Sequence, residues 1–146
     1  MVDLSSQRLY LWQDGQVLME SAICSGSPRF VNARGVTANV YEGRYVLTGY
    51  DADKVSGYTD AEGRGVPMPY AVRMDNVPGN RGLREGLWIH GWHPSRGPFP
   101  THPSSHGCIN LPMDMAQRFL SLVKVDLDAG KKIPVAIVSG SQLENP

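Results

Sequence analysis

Histidine and cysteine are scarce in this chain, and several of them lie close together. The stretch THPSSHGCINLP, residues 101–112, holds two of the four histidines and one of the two cysteines, and His90 lies sixteen positions before His106. A thiol near its free pKa is mostly protonated at neutral pH, and a nearby imidazole can accept its proton. These residue types predict a cysteine nucleophile, Cys108, that is activated by a histidine.

Two histidines are candidates for the base. His106 lies two residues before Cys108, and on a strand such residues share a face at about 6–7 Å, which is long for a direct hydrogen bond. His90 ends the apolar run LWI and can approach from a neighbouring strand. Gly107 allows close backbone approach, so that nearby amide N–H groups can face a developing oxyanion. The residues alone leave the choice of base open.

A zinc site is the alternative for the same side chains. His90-x-x-His93 and His102-x-x-x-His106-x-Cys108 supply enough imidazole and thiolate ligands. A proline-rich loop separates the pairs, and no CxxC or HExxH pattern supports them. His93 and His102 taken singly are typical of solvated loop residues.

Composition predicts one domain, residues 1–146, with a mainly β architecture. The chain is 41% hydrophobic and has 16 glycines, 11 prolines and a formal net charge of zero. Many turns and short strands are expected. The absence of a basic stripe argues against a nucleic-acid partner, and no apolar run is long enough to span a membrane. The first residues show no signal-peptide pattern.

The local patterns predict several strands and one helix. Asp14-Gly15 predicts a hairpin turn, and VYEGRYVLTGY predicts a second pair of strands with Gly43 as a turn or bulge. Further strands are predicted at YAVRMD, LWIHG and a largely buried IPVAIV. The polar, glycine-rich segment Asp51–Pro69 is expected to be a long surface loop, either a connector or a lid. Met115, Phe119, Leu122 and Val123 indicate an amphipathic helix after Pro112 that ends before KVDLDAGKK. Cys24 is expected to be a small buried residue in a strand, and a disulfide with Cys108 stays possible.

The His90 and Ser105–Asn110 segments together resemble the motif of the L,D-transpeptidase catalytic domain, the YkuD-type fold. That motif is a His, a gap, and then Ser/Thr-His-Gly-Cys-hydrophobic-Asn/Arg. Here it reads His90, fourteen residues from Gly91 to Ser104, then Ser105-His106-Gly107-Cys108-Ile109-Asn110. The opening hairpin, the MPYAVRM segment and the closing IPVAIV are also similar to the family. The resemblance implies a β-sandwich or barrel with one main helix near the C-terminus.

The resemblance also implies roles for individual residues. His90 becomes the base, oriented by the carbonyl of Gly91, and His106 shapes the substrate and oxyanion region with the amides of Gly107 and Cys108. Further residues are expected to contact substrate, namely Ser105, Asn110, Trp92 and Tyr70. No metal or organic cofactor is implied.

The activity implied is that of a peptidoglycan L,D-transpeptidase in the periplasm or cell wall. Its partners are peptidoglycan stem peptides, and carbapenems are expected to acylate Cys108. Alternatives are an L,D-carboxypeptidase, a D-amino-acid exchange enzyme, a secreted toxin that attacks cell walls, and a zinc- or wall-binding module without catalysis.

Overall fold

The computed structural model describes residues 1–26, 40, 42–59, 61–77, 87–105 and 107–139 of the chain. Within these ranges the chain forms strands, a short 3-10 turn at Pro94–Arg96 and one α-helix, α1, at Met113–Asp128. The strands are β1 Val2–Asp3, β2 Arg8–Gln13, β3 Gln16–Ala22, β4 Gly43–Thr59, β5 Gly65–Asn76, β6 Leu87–Gly91, β7 Ile109–Leu111 and β8 Ile133–Val138.

All the described strands belong to one mixed sheet in the order β3-β2-β1-β8-β4-β5-β6-β7. The pairs β1–β8 and β6–β7 are parallel, and the other neighbours are antiparallel. The expectation of a mainly β fold with one main helix near the C-terminus is confirmed. No helix in the described part of the chain has the length and apolar composition to cross a membrane.

The two edges of this sheet meet beside the predicted site. Just past β3, Cys24 forms an antiparallel bridge with Asn110 of β7, with both backbone hydrogen bonds at 2.9 Å. Gly26 forms a parallel bridge with Ser105, and the carbonyl of Ser25 accepts from the amides of Ser104 and Ser105 at 3.1 Å each. The sheet therefore curls until its first and last strands touch.

The Asp14-Gly15 hairpin is as predicted. Gln13 pairs with Gln16, and the two turn residues have φ values of 50° and 76°. Two successive positive φ values characterise the type I′ turn, whose twist matches that of the flanking strands.

Helix α1 packs against β4–β8 and covers the hydrophobic core. Phe119 and Val123 are buried as predicted, but Leu122 is 37% exposed and the buried face runs through Ala116 and Leu120 instead. The expected end of the helix was wrong, because residues Lys124–Asp128 are still helical.

The prediction of a surface loop over Asp51–Pro69 was wrong. Most of this segment belongs to the antiparallel pair β4 and β5, which stay paired out to Thr59 and Gly65. The distal part is polar because it extends beyond the helix-covered core, so backbone hydrogen bonds rather than an apolar face define its strands. The pattern consequently lacks the alternation that identifies a half-buried strand.

Two smaller expectations also need correction. Gly43 is the first residue of β4 and not a turn between two strands. Strand β8 is buried only at alternate positions, Val135 and Ile137, whereas Pro134 and Ala136 are exposed.

The side chains of strand β5 switch from one face of the sheet to the other at Tyr70. Val66 and Met68 line the cleft described below, whereas Val72 and Met74, of the same parity, lie in the core. Between them Tyr70 adopts a φ of 55°, in the left-handed region that aromatic residues rarely visit. This residue reorients the strand, so that one hairpin contributes to both core and cleft.

Gly15→Ala should lower the free energy of unfolding by about 1 kcal/mol, because alanine is strained at positive φ. Gly57→Ala is the matched control, since Gly57 has ordinary φ and open space where a Cβ would lie. Urea denaturation of both variants measures the difference. Equal stability of the two would contradict the turn geometry.

Candidate active site

A cleft of about 210 Å³ opens on the sheet face opposite α1 at β6 and β7. Its described lining comes from the distal β4–β5 hairpin, β6, the 3-10 turn and the segment leading into β7: Ser56, Val66, Met68, His90, Arg96, Ser105, Cys108 and Asn110. Two residues that the sequence assigned to catalysis, His90 and Cys108, therefore share one cavity.

Strand alternation aims these side chains. In the parallel β6–β7 pair, Ile89 is opposite Ile109 and His90 is opposite Asn110. The isoleucines are core residues, while His90 and Asn110 point the other way into the cleft. Cys108 lies two residues before Asn110 and follows it to the same side.

The His90 ring is held in one orientation by Gly91. Its Nδ1 lies 2.9 Å from the Gly91 carbonyl oxygen. Because a carbonyl only accepts, Nδ1 carries the proton of the neutral ring and Nε2 is the basic nitrogen.

Gly91 itself is required by packing against α1. A Cβ there would lie 2.9 Å from Met113 Sδ, 3.2 Å from Pro69 Cγ and 3.3 Å from Ala116 Cβ. The missing side chain lets the helix approach the end of β6, and this contact fixes the peptide whose carbonyl orients His90.

Burial makes the His90 imidazole a weak base. Its side chain is 3% exposed, and desolvation lowers its pKa from 6.5 to about 4. The Gly91 hydrogen bond acts in the opposite direction, while the positive charge of Arg96 lowers the pKa further. His90 is therefore neutral at neutral pH and ready to accept a proton.

Ser105 braces the backbone around Cys108. Its buried hydroxyl donates to the carbonyl of Cys108 and accepts from the amide of Gly107 at 3.2 Å. The Gly107 amide, expected to face an oxyanion, thus has an internal partner here. Gly107 has a φ of 125°, which few residues with a side chain adopt.

Asn110 connects the segment that carries Cys108 to two other parts of the chain. Its Nδ2 donates to the carbonyl of Cys24 at 3.4 Å, and its Oδ1 accepts from Arg96 at 3.4 Å. Asn110 is 1% exposed, so both amide ends are used inside the protein. These contacts favour a bracing role over direct contact with substrate.

Arg96 is a cleft residue that sequence reasoning missed. It ends the 3-10 turn, which His93 caps by accepting from the amide of Ser95. Its guanidinium lies 3.8 Å from the Trp92 ring centroid, and Trp92 donates to the carbonyl of Gly97. The turn-forming sequence HPSRG was the available signal, but the stacking that aims Arg96 is not visible in it.

The other predicted residues lie in various places. Trp92 stacks on Arg96 and packs edge-on against Phe99, and Tyr70 packs against the core; neither is among the described residues that line the cleft. Their contact with substrate stays a prediction. His106 lies outside the described residues.

Cys24 is fully buried, as expected, and no disulfide joins it to the partly exposed Cys108, so that alternative is excluded. Cys24 lies past β3 rather than within a strand, and its thiol is 3.2 Å from Ser104 Oγ and 3.5 Å from the carbonyl oxygen of His102. No cluster of three possible metal ligands occurs among the described side chains.

The buried neutral His90 should make the protein less stable in acid. The unfolded chain takes up a proton near pH 6.5 and the folded chain only near pH 4, so this contribution is complete above pH 6.5 and is lost as the pH falls. Between pH 7.5 and 5.0 the free energy of unfolding should fall by about 2 kcal/mol from this residue. Urea denaturation of the parent and of His90→Gln at both pH values isolates the contribution of His90. If the stability of the two proteins depends on pH in the same way, the lowered pKa of His90 is contradicted.

Comparison with known proteins gives a consistent result. Residues 1–137 match the family described as the L,D-transpeptidase catalytic domain (YkuD). No curated protein matches the chain in sequence.

Among solved structures, an L,D-transpeptidase from Mycobacterium smegmatis is 23% identical, with a TM-score of 0.66, over 94% of this chain and 57% of that one. Mycobacterium tuberculosis L,D-transpeptidase 1 is 20% identical, with a TM-score of 0.58, over 94% and 59%. The catalytic domain of an E. faecium L,D-transpeptidase, acylated by ertapenem, is 24% identical, with a TM-score of 0.58, over 93% and 92%.

The chain thus spans little more than half the length of the two mycobacterial structures but nearly all of the enterococcal catalytic domain. At these identities the structures show a shared fold. The family match covers all but the last nine residues, and the chain belongs to the L,D-transpeptidase catalytic domain family.

Proposed function

We propose that the chain is a peptidoglycan L,D-transpeptidase, with Cys108 as nucleophile and His90 as general base. The observation that carries the proposal is that both residues line one cleft, with His90 Nδ1 bound to the Gly91 carbonyl. This arrangement leaves Nε2 free to accept a thiol proton.

Acylation begins when Cys108 Sγ attacks the carbonyl carbon at the L-centre of the third residue in a tetrapeptide stem. A C–S bond forms while the thiol proton moves to His90 Nε2. The resulting tetrahedral intermediate collapses, the bond to the terminal D-alanine breaks, and the same proton passes to the leaving amine. A thioester on Cys108 and free D-alanine result.

Transfer reverses these roles. The side-chain amine of a second stem attacks the thioester carbonyl, His90 takes its proton, and the C–S bond breaks to regenerate the thiol. Water or a free D-amino acid as acceptor gives trimming or exchange at the same cleft. His106 is proposed to shape the oxyanion region with the amides of Gly107 and Cys108.

The setting of this reaction follows from its substrate. Peptidoglycan stem peptides are the proposed partners, and the proposed site of action is the periplasm or cell wall. The ertapenem-acylated relative supports the expectation that a carbapenem reacts with this cleft as well. A strained β-lactam amide needs only a thiolate and an oxyanion site.

Cys108→Ala should abolish turnover and leave the fold intact, because Cys108 is partly exposed and lies outside the hydrophobic core. Incubation with disaccharide-tetrapeptide followed by mass spectrometry should show cross-linked dimer with the parent only. Intact-protein mass spectrometry should show one ertapenem added to the parent and none to the variant. Cys24→Ala is the matched control, because it removes the buried cysteine and keeps Cys108. This variant should still form the ertapenem adduct.

The product identifies the acceptor in the same experiment. A cross-linked dimer indicates that the acceptor is the amine of a second stem, and a tripeptide indicates that the acceptor is water. A Cys108→Ala protein that still converts tetrapeptide would remove the nucleophile assignment.

Shortening the β4–β5 hairpin should reduce peptide turnover without harming the nucleophile. Replacing Val55–Pro67 with Asn-Gly joins Lys54 to Met68, which are cross-strand partners and both have the backbone N–H that a two-residue turn needs. The change removes the cleft wall formed by Ser56 and Val66. We expect roughly a tenfold or larger loss of kcat/KM on tetrapeptide, because substrate is positioned less well.

A matched variant replaces only residues 60–64 with Asn-Gly, which joins the partners Thr59 and Gly65 and keeps the wall. This variant should retain parent activity. Iodoacetamide should alkylate Cys108 at least as fast in both variants as in the parent. Undiminished turnover after removal of Val55–Pro67 would show that the distal hairpin does not position substrate.

A further inference from the structure

We propose that Arg96 is a specificity residue of the cleft and binds the terminal carboxylate of the donor stem peptide. The identity of this anion rests on the proposed function; the anion site itself rests on the geometry of Arg96.

Arg96 is held in place on two sides. Its guanidinium stacks over the Trp92 ring at 3.8 Å, and Nη1 donates to Asn110 Oδ1 at 3.4 Å. The side chain is partly buried and lines the cleft together with His90 and Cys108. A pre-oriented planar guanidinium loses little conformational entropy when it binds a planar anion.

Arg96 has no carboxylate partner among the described residues. Arg8, Arg64 and Arg73 each form an ion pair with a carboxylate, whereas Arg96 forms none with the described residues. No acidic side chain occurs among the described cleft residues, so a cation faces neutral groups there. Desolvation lowers the pKa of Arg96, although Cys24 and Cys108 act in the opposite direction. An anion from outside would relieve this cost, and a carboxylate matches the guanidinium fork.

The proposed substrate supplies a carboxylate at the right place. The leaving D-alanine carries it two bonds beyond the leaving nitrogen, so its carbon lies within about 4 Å of the scissile carbonyl carbon. When that carbonyl is at Cys108, the carboxylate is therefore confined to the same small cleft as Arg96. The contact would favour stems that end in a free acid immediately after the scissile bond.

The first test needs no natural substrate and compares two alkylating reagents. Iodoacetate carries a carboxylate and iodoacetamide does not, and their rate ratio at Cys108 cancels any change in the reactivity of the thiol itself. Arg96→Gln should lower the iodoacetate-to-iodoacetamide ratio roughly tenfold, because a nearby partly desolvated charge is removed. Arg96→Lys should keep part of the preference for iodoacetate, because lysine retains the positive charge but lacks the planar guanidinium fork.

The matched control is Arg118→Gln, which removes the same charge from an exposed position on α1 outside the cleft lining. Its ratio should equal that of the parent. An unchanged ratio in Arg96→Gln would overturn the anion site.

The second test uses disaccharide-tetrapeptide with its terminal carboxylate either free or amidated. The parent should prefer the free acid by about tenfold or more in kcat/KM, and Arg96→Gln should lose that preference. If Arg96→Gln does not fold, the parent alone still tests the proposal. Equal turnover of the free and amidated peptides by the parent would overturn it.

The two proposals fail in different ways. If the alkylation ratio depends on Arg96 but the parent converts neither peptide, the anion site is supported and the transpeptidase assignment is contradicted. If the parent converts both peptides equally, the transpeptidase assignment is supported and the role of Arg96 is contradicted.

Discussion

The backbone pair between Cys24 and Asn110 is the contact on which the site depends. These residues are 86 positions apart and lie at opposite edges of the sheet, yet their amides and carbonyls exchange two hydrogen bonds of 2.9 Å. Without this closure, β7 would be an open edge and the residues before it would lose their anchor. The adjacent carbonyl of Ser25 accepts from the amides of Ser104 and Ser105, which extends the closure to the residues that precede Cys108.

A polar chain that begins at the first strand holds this closure in position. Gln7, with a left-handed φ of 52°, accepts from the amide of Ser25 and donates to its hydroxyl and to the carbonyl of Leu4. The turn before Gln7 is fixed by buried Asp3, whose carboxylate accepts from Ser5 and Ser6. Burial raises the pKa of Asp3, but these hydrogen bonds outweigh it and lower the pKa below its usual value. Buried polar groups of this kind are costly unless all are paired, so they fix one geometry of the segment that leads to Cys108.

Sequence patterns predicted what depends on neighbouring residues. The Asp14-Gly15 turn, the core strand at β6 and the start of α1 are local features, and the motif brought Cys108 and His90 into one hypothesis. The patterns failed where contacts between residues far apart in the sequence determine the structure. The distal β4–β5 hairpin lacks apolar alternation because backbone pairing forms it. The left-handed backbone at Tyr70 moves the following side chains to the other face of the sheet, and no glycine marks this change in the sequence. The position of Arg96 depends on stacking and on Asn110, neither of which spacing reveals.

In the proposed reaction, the charges in the cleft explain how a weak base such as His90 would serve there. With a pKa of about 4, His90 is neutral at rest, so its imidazole carries no positive charge before a proton is transferred to it. The proposed proton transfer would create an imidazolium and a negative sulfur or oxyanion together, and their mutual attraction in a partly desolvated cleft would offset the cost of burying each. Arg96 makes the imidazolium less favourable and the negative sulfur more favourable, since it lies near both residues. A bound carboxylate would neutralise Arg96 and raise the basicity of His90, so that substrate itself would prepare the base for the step that consumes it.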